Sequence, residues 1–331
     1  MPRPLPMLLV CCLLLGGVGC ASSLGRIAVK TPNHAKTAGQ LDKAHHATPR
    51  MGGAVIDHRF RVGVPNENVS LSVWIIDPSN EHLHATGDGL WFHIADDAPR
   101  QTRPSHATVL ILHGYRHFKN DWAYLMWARF LAEHGYRVAL TDLRGHGAST
   151  GDWCGFGPRE AQDLVHVIDE LDRRGLLIGK LGVMGGSYGG TTAIHLAAAD
   201  TRVKAVVTVS AFASMRSAAP AFVKGYLGWF SGLVGVWGWD NIVDAAGKAS
   251  RFDPDRSDAR IAIGRTRAAV LLAHSTADRH VPASDARALD EAGGTTTKLE
   301  LMDGGGHFKF GVQNARRVRQ AALAWFNQHL K

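Results

Sequence analysis

Cysteine is almost absent from the body of this chain. Of four cysteines in 331 residues, Cys11, Cys12 and Cys20 lie in the first twenty positions, which leaves only Cys154 for the remainder. One thiol cannot form an intramolecular disulfide, so the fold must be held together by packing alone. A chain of this length buries enough apolar surface for that.

Long runs of a single charge are also missing. Lys and Arg number 37 against 29 Asp and Glu, a net charge of +8, and no run of five or six basic residues concentrates the excess. Proteins that bind nucleic acid usually cluster their basic residues, so we expect no nucleic-acid partner. With 45% hydrophobic and 20% charged residues, the composition is that of a globular protein and excludes a fibrous or wholly disordered chain.

The first apolar run is too short to cross a membrane. Met7–Val18 carries no charge over twelve residues, whereas a transmembrane helix needs about 20. Arg3 precedes the run, and Gly16, Gly17 and Gly19 supply the small residues of a cleavage zone. This order is typical of an export signal, and we predict that residues 1–19 are a signal peptide.

The residues that end this signal predict how the chain is anchored. Residues 15–20, Leu-Gly-Gly-Val-Gly-Cys, resemble a bacterial lipoprotein signal in which Cys20 is acylated, although Gly17 stands where leucine is usual. The resemblance implies an exported, membrane-anchored lipoprotein. The alternative is a cut after Ala21, which would give a soluble secreted or periplasmic protein.

Residues 20–55 show little periodicity, and we interpret them as a tether. His34, His45 and His46 fall in this stretch, but residues 21–55 hold a single carboxylate, Asp42, and no cysteine, so the histidines lack the ligand set that a metal site would require. We therefore expect solvated histidines and no bound metal.

From residue 56 to residue 331 the pattern predicts one α/β domain. Arg59–Val64 and Leu71–Asp77 alternate like an antiparallel pair of strands, and Leu90–Ile94 is a candidate third strand. Repeated strand–helix units follow, which predict a mainly parallel sheet of about eight strands flanked by helices. In chain order these units are strand Thr108–Leu112, helix Asp121–His134, strand Arg137–Asp142, helix Pro158–Arg174, strand Leu181–Met184, helix Thr191–Ala199, strands Val203–Val209 and Ala268–His274, helix Ser284–Glu291, strand Thr297–Leu301 and helix Ala315–Leu330.

One stretch interrupts the alternation. Residues 212–262 are too long for a simple crossover, and we predict a small helical cap over one end of the sheet. Trp229, Trp237 and Trp239 lie in it among many apolar residues. These tryptophans either line a substrate pocket or pack as the core of the cap, and the sequence leaves both interpretations open.

A candidate nucleophile follows one of the predicted strands. Residues 185–189 read Gly-Gly-Ser-Tyr-Gly, placed between strand Leu181–Met184 and the next helix. In this strand–turn–helix setting Gly185 and Gly189 allow the backbone to reverse tightly around Ser187. The helix N-terminus adds positive potential beside the serine oxygen.

A base and an acid follow later strands. Three glycines, 304–306, precede His307 after the last strand, and Asp278 lies in the loop after strand Ala268–His274. The order Ser187, Asp278, His307 is that of hydrolases built on an α/β sheet. His280 is a less favoured alternative base, because it shares the loop of Asp278.

Two backbone N–H groups are needed to hold an oxyanion. We assign them to Tyr188, next to the serine, and to Tyr115, in the loop after the first buried parallel strand. Gly114 allows that loop to turn, and His113 is expected to make structural hydrogen bonds there.

Together these segments resemble the α/β-hydrolase superfamily over roughly residues 58–331. Asp142–Ser149, Asp-Leu-Arg-Gly-His-Gly-Ala-Ser, is similar to the corresponding segment of monoacylglycerol-lipase and serine-aminopeptidase-like members. Gly185–Gly190 is similar to the elbow of prolyl-oligopeptidase-type catalytic domains. No distinct chemical role follows for Asp142–Ser149, which we interpret as scaffold beside the site.

The resemblance implies a serine hydrolase that uses no cofactor and no metal. Ester hydrolysis of a small-molecule substrate is the first expectation, and amide or peptide hydrolysis is the second. A non-catalytic, surface-tethered binding protein on the same scaffold is the third. The sequence leaves the oligomeric state open.

Overall fold

The computed structural model describes residues 18–32, 50–51, 54–78, 102–227, 231–232, 238–307 and 314–331. The predicted strand Leu90–Ile94 lies outside these residues, as do Trp229 and Trp237. Within them, an eight-stranded sheet forms the centre of the molecule, in the order β10-β9-β8-β7-β5-β6-β4-β3.

Six neighbouring strands of this sheet run parallel, and two antiparallel strands extend it on the β6 side. A separate two-stranded hairpin precedes it. The strands are β1 (Arg50–Met51) and β2 (Ala54–Val55) of the hairpin, then β3 (His58–Val64), β4 (Val69–Ile76), β5 (Ala107–Leu112), β6 (Tyr136–Thr141), β7 (Lys180–Gly186), β8 (Val203–Val209), β9 (Ala269–Ser275) and β10 (Thr297–Met302).

Helices cover both faces of the sheet. The described helices of four or more residues are α1 (Val18–Val29), α2 (Trp122–Glu133), α3 (Pro158–Arg173), α4 (Tyr188–Ala199), α5 (Met215–Leu227), α6 (Trp239–Ser250), α7 (Ala259–Ile263), α8 (Ala283–Gly293) and α9 (Ala315–Leu330). None of these helices is both long and apolar enough to span a bilayer.

The burial pattern explains why these residues form this sheet. Every residue of β5 is buried, as is expected for a parallel strand covered on both faces. Helix α3 buries Leu164, Val167, Ile168 and Leu171, which recur at the spacing of one helix face. The predicted mainly parallel sheet of about eight strands, flanked by helices, is confirmed.

The N-terminal segment differs from its prediction. Residues 18–29, interpreted in part as tether, form helix α1, which packs along α6. Ala21, Gly25 and Val29 are buried. With the partly buried Leu24, they recur every three or four residues, the spacing of a helix with one apolar face. Residues 20–32 therefore belong to the folded body of the protein.

The stretch predicted as a cap lies in the chain between β8 and β9. Its described helices are α5, α6 and α7. Trp239 packs in an apolar cluster with Ala21, Leu24, Val223 and Ile242. The described surroundings of Trp239 are thus the junction of the cap and α1, which for this residue favours the packing interpretation over the pocket interpretation.

Candidate active site

Ser187 stands at a sharp turn between β7 and α4. Its φ is 51° and its ψ is −118°, a conformation that non-glycine residues rarely adopt and that is strained. A Cβ on Gly185 would collide with the Gly189 carbonyl, and a Cβ on Gly189 would collide with the Leu112 carbonyl. Both glycines are therefore required by the backbone, as the sequence predicts.

Three side chains form a hydrogen-bonded row at the carboxyl edge of the sheet. His307 Nε2 lies 3.1 Å from Ser187 Oγ, and His307 Nδ1 lies 2.8 Å from Asp278 Oδ2. Because an ionised carboxylate only accepts hydrogen bonds, Nδ1–H donates to Asp278 and Nε2 is left to accept from the serine hydroxyl. The predicted nucleophile, base and acid are thus brought together.

The loop around Asp278 stabilises its charge. Asp278 Oδ1 accepts hydrogen bonds from the backbone N–H groups of His280 and Val281, each at 2.9 Å. Burial alone would raise the pKa of this carboxyl, but the contact with His307 and these two amides outweigh burial and lower it. Asp278 is therefore a carboxylate that accepts from the imidazole at neutral pH.

The alternative base lies beside this row. The His280 ring centroid is 5.7 Å from that of His307, and a Cβ on Gly225 of α5 would approach the His280 ring. His280 thus separates the cap helix from His307, and the hydrogen bonds to Ser187 and Asp278 are made by His307.

The two expected oxyanion donors lie at adjoining turns. Within the described residues, the backbone N–H groups of Tyr115 and Tyr188 donate to no other group of the protein. Tyr188 opens α4, so its N–H is one of the free donors of a helix N-terminus. A Cβ on Gly114 would lie 3.6 Å from the Gly186 carbonyl oxygen, which shows how closely the 113–116 loop approaches the turn.

His113 holds the loop that carries Tyr115. Its Nδ1 lies 2.8 Å from the Gly114 carbonyl oxygen, and the Leu143 N–H donates to Nε2 at 2.9 Å. Burial lowers the pKa of His113 to about 3, so the ring is neutral with one donor and one acceptor. The structural role expected from the sequence matches these contacts.

Tyr124 is a supporting residue that the sequence reasoning missed. Its hydroxyl accepts from the Gly114 N–H at 2.7 Å, and burial raises its pKa. A tyrosine in an amphipathic helix gives no sequence signal of this contact, because ten residues separate it from Gly114.

Lys119, also missed, gives the Asp142–Ser149 segment a role. Its ammonium lies 2.5 Å from Asp142 Oδ2, and its backbone N–H donates to Asp142 Oδ1 at 2.7 Å. The Ala148 N–H donates to the same carboxylate at 2.9 Å. Asp142 thereby joins the end of β6 to the loop after Tyr115. Asp142 lies in this buried ion pair, and the carboxylate that accepts from His307 is Asp278.

The described residues contain no cluster of histidine, cysteine or acidic side chains suited to a metal ion. Cys20 lies in the first turns of α1, and its acylation stays a prediction.

Comparison with known proteins gives the family. A model described as the alpha/beta hydrolase fold matches residues 107–289, more than half of the chain. The uncharacterized peptidase YuxL of Bacillus subtilis is 31% identical over 140 residues, which are 39% of this chain and 21% of that protein. Dipeptidyl aminopeptidase BIII of Pseudoxanthomonas mexicana is 25% identical over 165 residues, which are 47% of this chain and 22% of that protein. The matched segments thus span about a fifth of each of these two relatives.

A solved structure shares the fold over most of the chain. The esterase Pf2001 of Pyrococcus furiosus superposes with a TM-score of 0.62 at 18% identity, covering 83% of this chain and 93% of that one. At this identity the likeness speaks for the fold alone. Taken with the family model and the strand order, it leads to one conclusion: this chain belongs to the α/β hydrolase fold family.

Proposed function

We propose that this protein is a serine hydrolase that cleaves carboxylic esters of apolar acyl groups through an acyl-enzyme intermediate. The observation that carries the proposal is the row Ser187–His307–Asp278, with Ser187 held at a strained turn at the helix N-terminus. A serine hydroxyl becomes a nucleophile only beside a base that a third group orients, and this row supplies both.

The proposed reaction uses each group in turn. His307 Nε2 takes the proton of Ser187 as Oγ attacks the ester carbonyl carbon, and the backbone N–H groups of Tyr115 and Tyr188 stabilise the oxyanion. The imidazolium, held by Asp278, gives its proton to the alcohol oxygen as the C–O bond breaks. Water then attacks the acyl-enzyme with His307 as the base, which releases the acid and restores Ser187.

The choice of apolar acyl groups comes from the cap. Between residues 217 and 239 the only charged residue is Lys224, and aromatic and aliphatic side chains dominate. If these side chains line the substrate pocket, they would favour an apolar ligand. Trp229 and Trp237 remain the proposed pocket residues from the sequence, since they lie outside the described residues.

Amide or peptide hydrolysis is the second candidate, favoured by the peptidases among the relatives. The same row of groups serves both reactions, because both begin with attack on a carbonyl carbon. A binding protein without catalytic activity is the third candidate, and the hydrogen-bonded Ser187–His307–Asp278 row argues against it.

An acyl-length series tests the substrate class. We expect kcat/KM to rise from acetyl to hexanoyl or octanoyl esters, because each buried CH₂ contributes about 0.8 kcal/mol. Trp229→Ala and Trp237→Ala should each flatten this rise more than they lower the acetyl rate. Aminoacyl amides in the same panel distinguish amide or peptide hydrolysis from ester hydrolysis, because only an amidase or peptidase would turn them over efficiently. A profile that peaks at acetyl and ignores both changes would show that the tryptophans only pack the cap.

We also propose that the protein is exported and anchored through Cys20. The support is the signal-like sequence of residues 1–19, followed directly by Cys20.

A further inference from the structure

Helix α1 ends against the candidate oxyanion loop. The Tyr115 hydroxyl donates to the Ala28 carbonyl oxygen at 2.9 Å. Ala28 lies in the last turn of α1, where the backbone carbonyl groups have no N–H partner within the helix. Burial raises the pKa of the Tyr115 hydroxyl, so it stays protonated and remains a donor. The residue that is expected to present an oxyanion N–H is therefore fixed through its side chain by the N-terminal segment.

The chain after α1 is pinned to the neighbouring loop. The Thr31 N–H donates to the Asp152 carbonyl at 3.0 Å, and the Cys154 N–H donates to the Val29 carbonyl at 2.9 Å. Thr31 Oγ1 also donates to the Gly151 carbonyl at 3.0 Å. These bonds fix the C-terminal end of α1, and with it the position of the Ala28 carbonyl.

The other side of α1 is in close contact with the cap. A Cβ on Gly25 would lie 2.6 Å from both the Ala246 nitrogen and the Ile242 carbonyl oxygen, so the two helix backbones touch at this glycine. The helix thus fills the space between α6 and the loop of Tyr115. A shift away from that loop would break the Tyr115–Ala28 hydrogen bond and press α1 into α6, and a shift toward the loop would open the contact at Gly25.

We propose that residues 21–31 are a positioning element of the active site, which sets the Tyr115 N–H through the Tyr115–Ala28 hydrogen bond and the close packing at Gly25. The inference rests on the proposed function, because it assigns Tyr115 to the oxyanion hole. It assigns to the segment after the signal peptide a part in turnover, beyond connecting the domain to a membrane. Both predicted mature N-termini, Cys20 and Ser22, retain Gly25 and Ala28.

Tyr115→Phe tests the first contact. It keeps the ring and the backbone N–H but removes the donor to Ala28. We expect kcat to fall about ten- to a hundredfold with KM within a factor of two, because a displaced donor weakens stabilisation that develops only in the transition state. The labelling rate by a fluorophosphonate should fall in parallel, since its phosphoryl oxygen occupies the same donors.

Tyr136→Phe is the matched control. Its hydroxyl donates to Asn327 Oδ1 at 2.8 Å, in a strand that carries no proposed site residue. We expect Tyr136→Phe to lose about as much thermal stability as Tyr115→Phe and to keep the wild-type kcat.

Gly25→Ala tests the second contact, with Gly63→Ala as its control because a Cβ there would meet nothing within 4 Å. In a solvent-exposed helix, replacing glycine by alanine stabilises the helix. Against α6, the added methyl should displace α1, lower the melting temperature and reduce kcat and the labelling rate in the same direction as Tyr115→Phe.

These experiments, run on the full mature chain, separate the two ideas. Wild-type kcat and labelling in folded Tyr115→Phe and Gly25→Ala would overturn the positioning role, as would a loss of stability with kcat unchanged. A wild-type chain that neither labels nor turns over any ester or amide would overturn the proposed function, and the inference with it.

Discussion

At Ser187, backbone strain and proposed chemistry coincide. The positive φ of 51° lifts the side chain out of the sheet toward His307. Strained conformations persist where the surroundings enforce them. Here the Ser187 N–H donates to the Val209 carbonyl at 2.7 Å, and the Thr191 N–H donates to the Ser187 carbonyl at 3.0 Å. The turn is therefore fixed on both sides before any substrate arrives.

The two neighbouring histidines provide a sharp test at this scale. His307→Ala should reduce kcat by at least about a thousandfold, since the groups of such a row act as a unit. His280→Ala is the matched control and should stay within a few-fold of wild type. The hydrogen bonds to Ser187 Oγ and Asp278 Oδ2 are made by His307, and His280 donates to Asp278 Oδ1 through its backbone N–H, which alanine keeps. Steady-state kinetics with one ester substrate measures kcat for both variants and the wild type. Near-normal turnover in His307→Ala with loss in His280→Ala would show that the base is His280.

At the scale of elements, the buried pair Lys119–Asp142 connects β6 to the loop after β5. Both side chains are nearly inaccessible, at 2% and 1% exposure. Removing one partner of a buried ion pair leaves an uncompensated charge, so Asp142→Asn should lower the free energy of unfolding by about 3–5 kcal/mol. Arg256→Gln, which breaks an exposed pair with Asp253, is the control and should change little. Denaturant unfolding measures both.

The same pair gives the stability a pH dependence of known sign. Burial would raise the pKa of Asp142, but Lys119 outweighs burial and lowers it below the usual 3.8. A carboxyl with a lowered folded pKa stabilises the fold above its unfolded pKa and loses that contribution as the pH falls through the folded value. Asp142→Asn should therefore lose less stability than wild type on acidification below about pH 4. Equal acid sensitivity in both would contradict this account of Asp142.

What the sequence predicts well are features encoded locally. The strand–turn–helix around Ser187 follows from periodicity and glycine placement. Asp278 and His307 follow from their places after later strands and from the chain order typical of α/β hydrolases. Tyr124 and Lys119 could not be found, because each acts on a residue far from it in sequence. The apolar spacing of α1 is visible in the sequence, but it overlaps the small residues of a predicted cleavage zone, which favours the interpretation of this stretch as signal and tether.

For the whole molecule, helix α1 carries the proposed acylation site, Cys20, and also contacts the loop of Tyr115. Cys20 lies within helix α1 and would be the first residue of the mature chain once residues 1–19 are removed. An acyl group on Cys20 would therefore be attached directly to a helix that packs on the catalytic domain, with no flexible spacer between them. The cleft would then be held close to the membrane surface.

Fractionation and the mass of the N-terminus test the anchor. If Cys20 is acylated, the mature protein partitions with membranes, and Cys20→Ala blocks that processing. Cys154→Ala is the control: this buried thiol should not affect partitioning. An unmodified N-terminus at Ser22 in the soluble fraction would instead establish cleavage after Ala21.

The proposed function depends above all on Ser187 being an activated nucleophile. The most direct measurement is reaction of the full mature chain with a fluorophosphonate, followed by peptide mapping in the mass spectrometer. We predict one adduct, on Ser187, that is absent from Ser187→Ala and slowed strongly in His307→Ala while both variants remain folded. An unlabelled wild-type protein, or an adduct that persists in Ser187→Ala, would contradict the account.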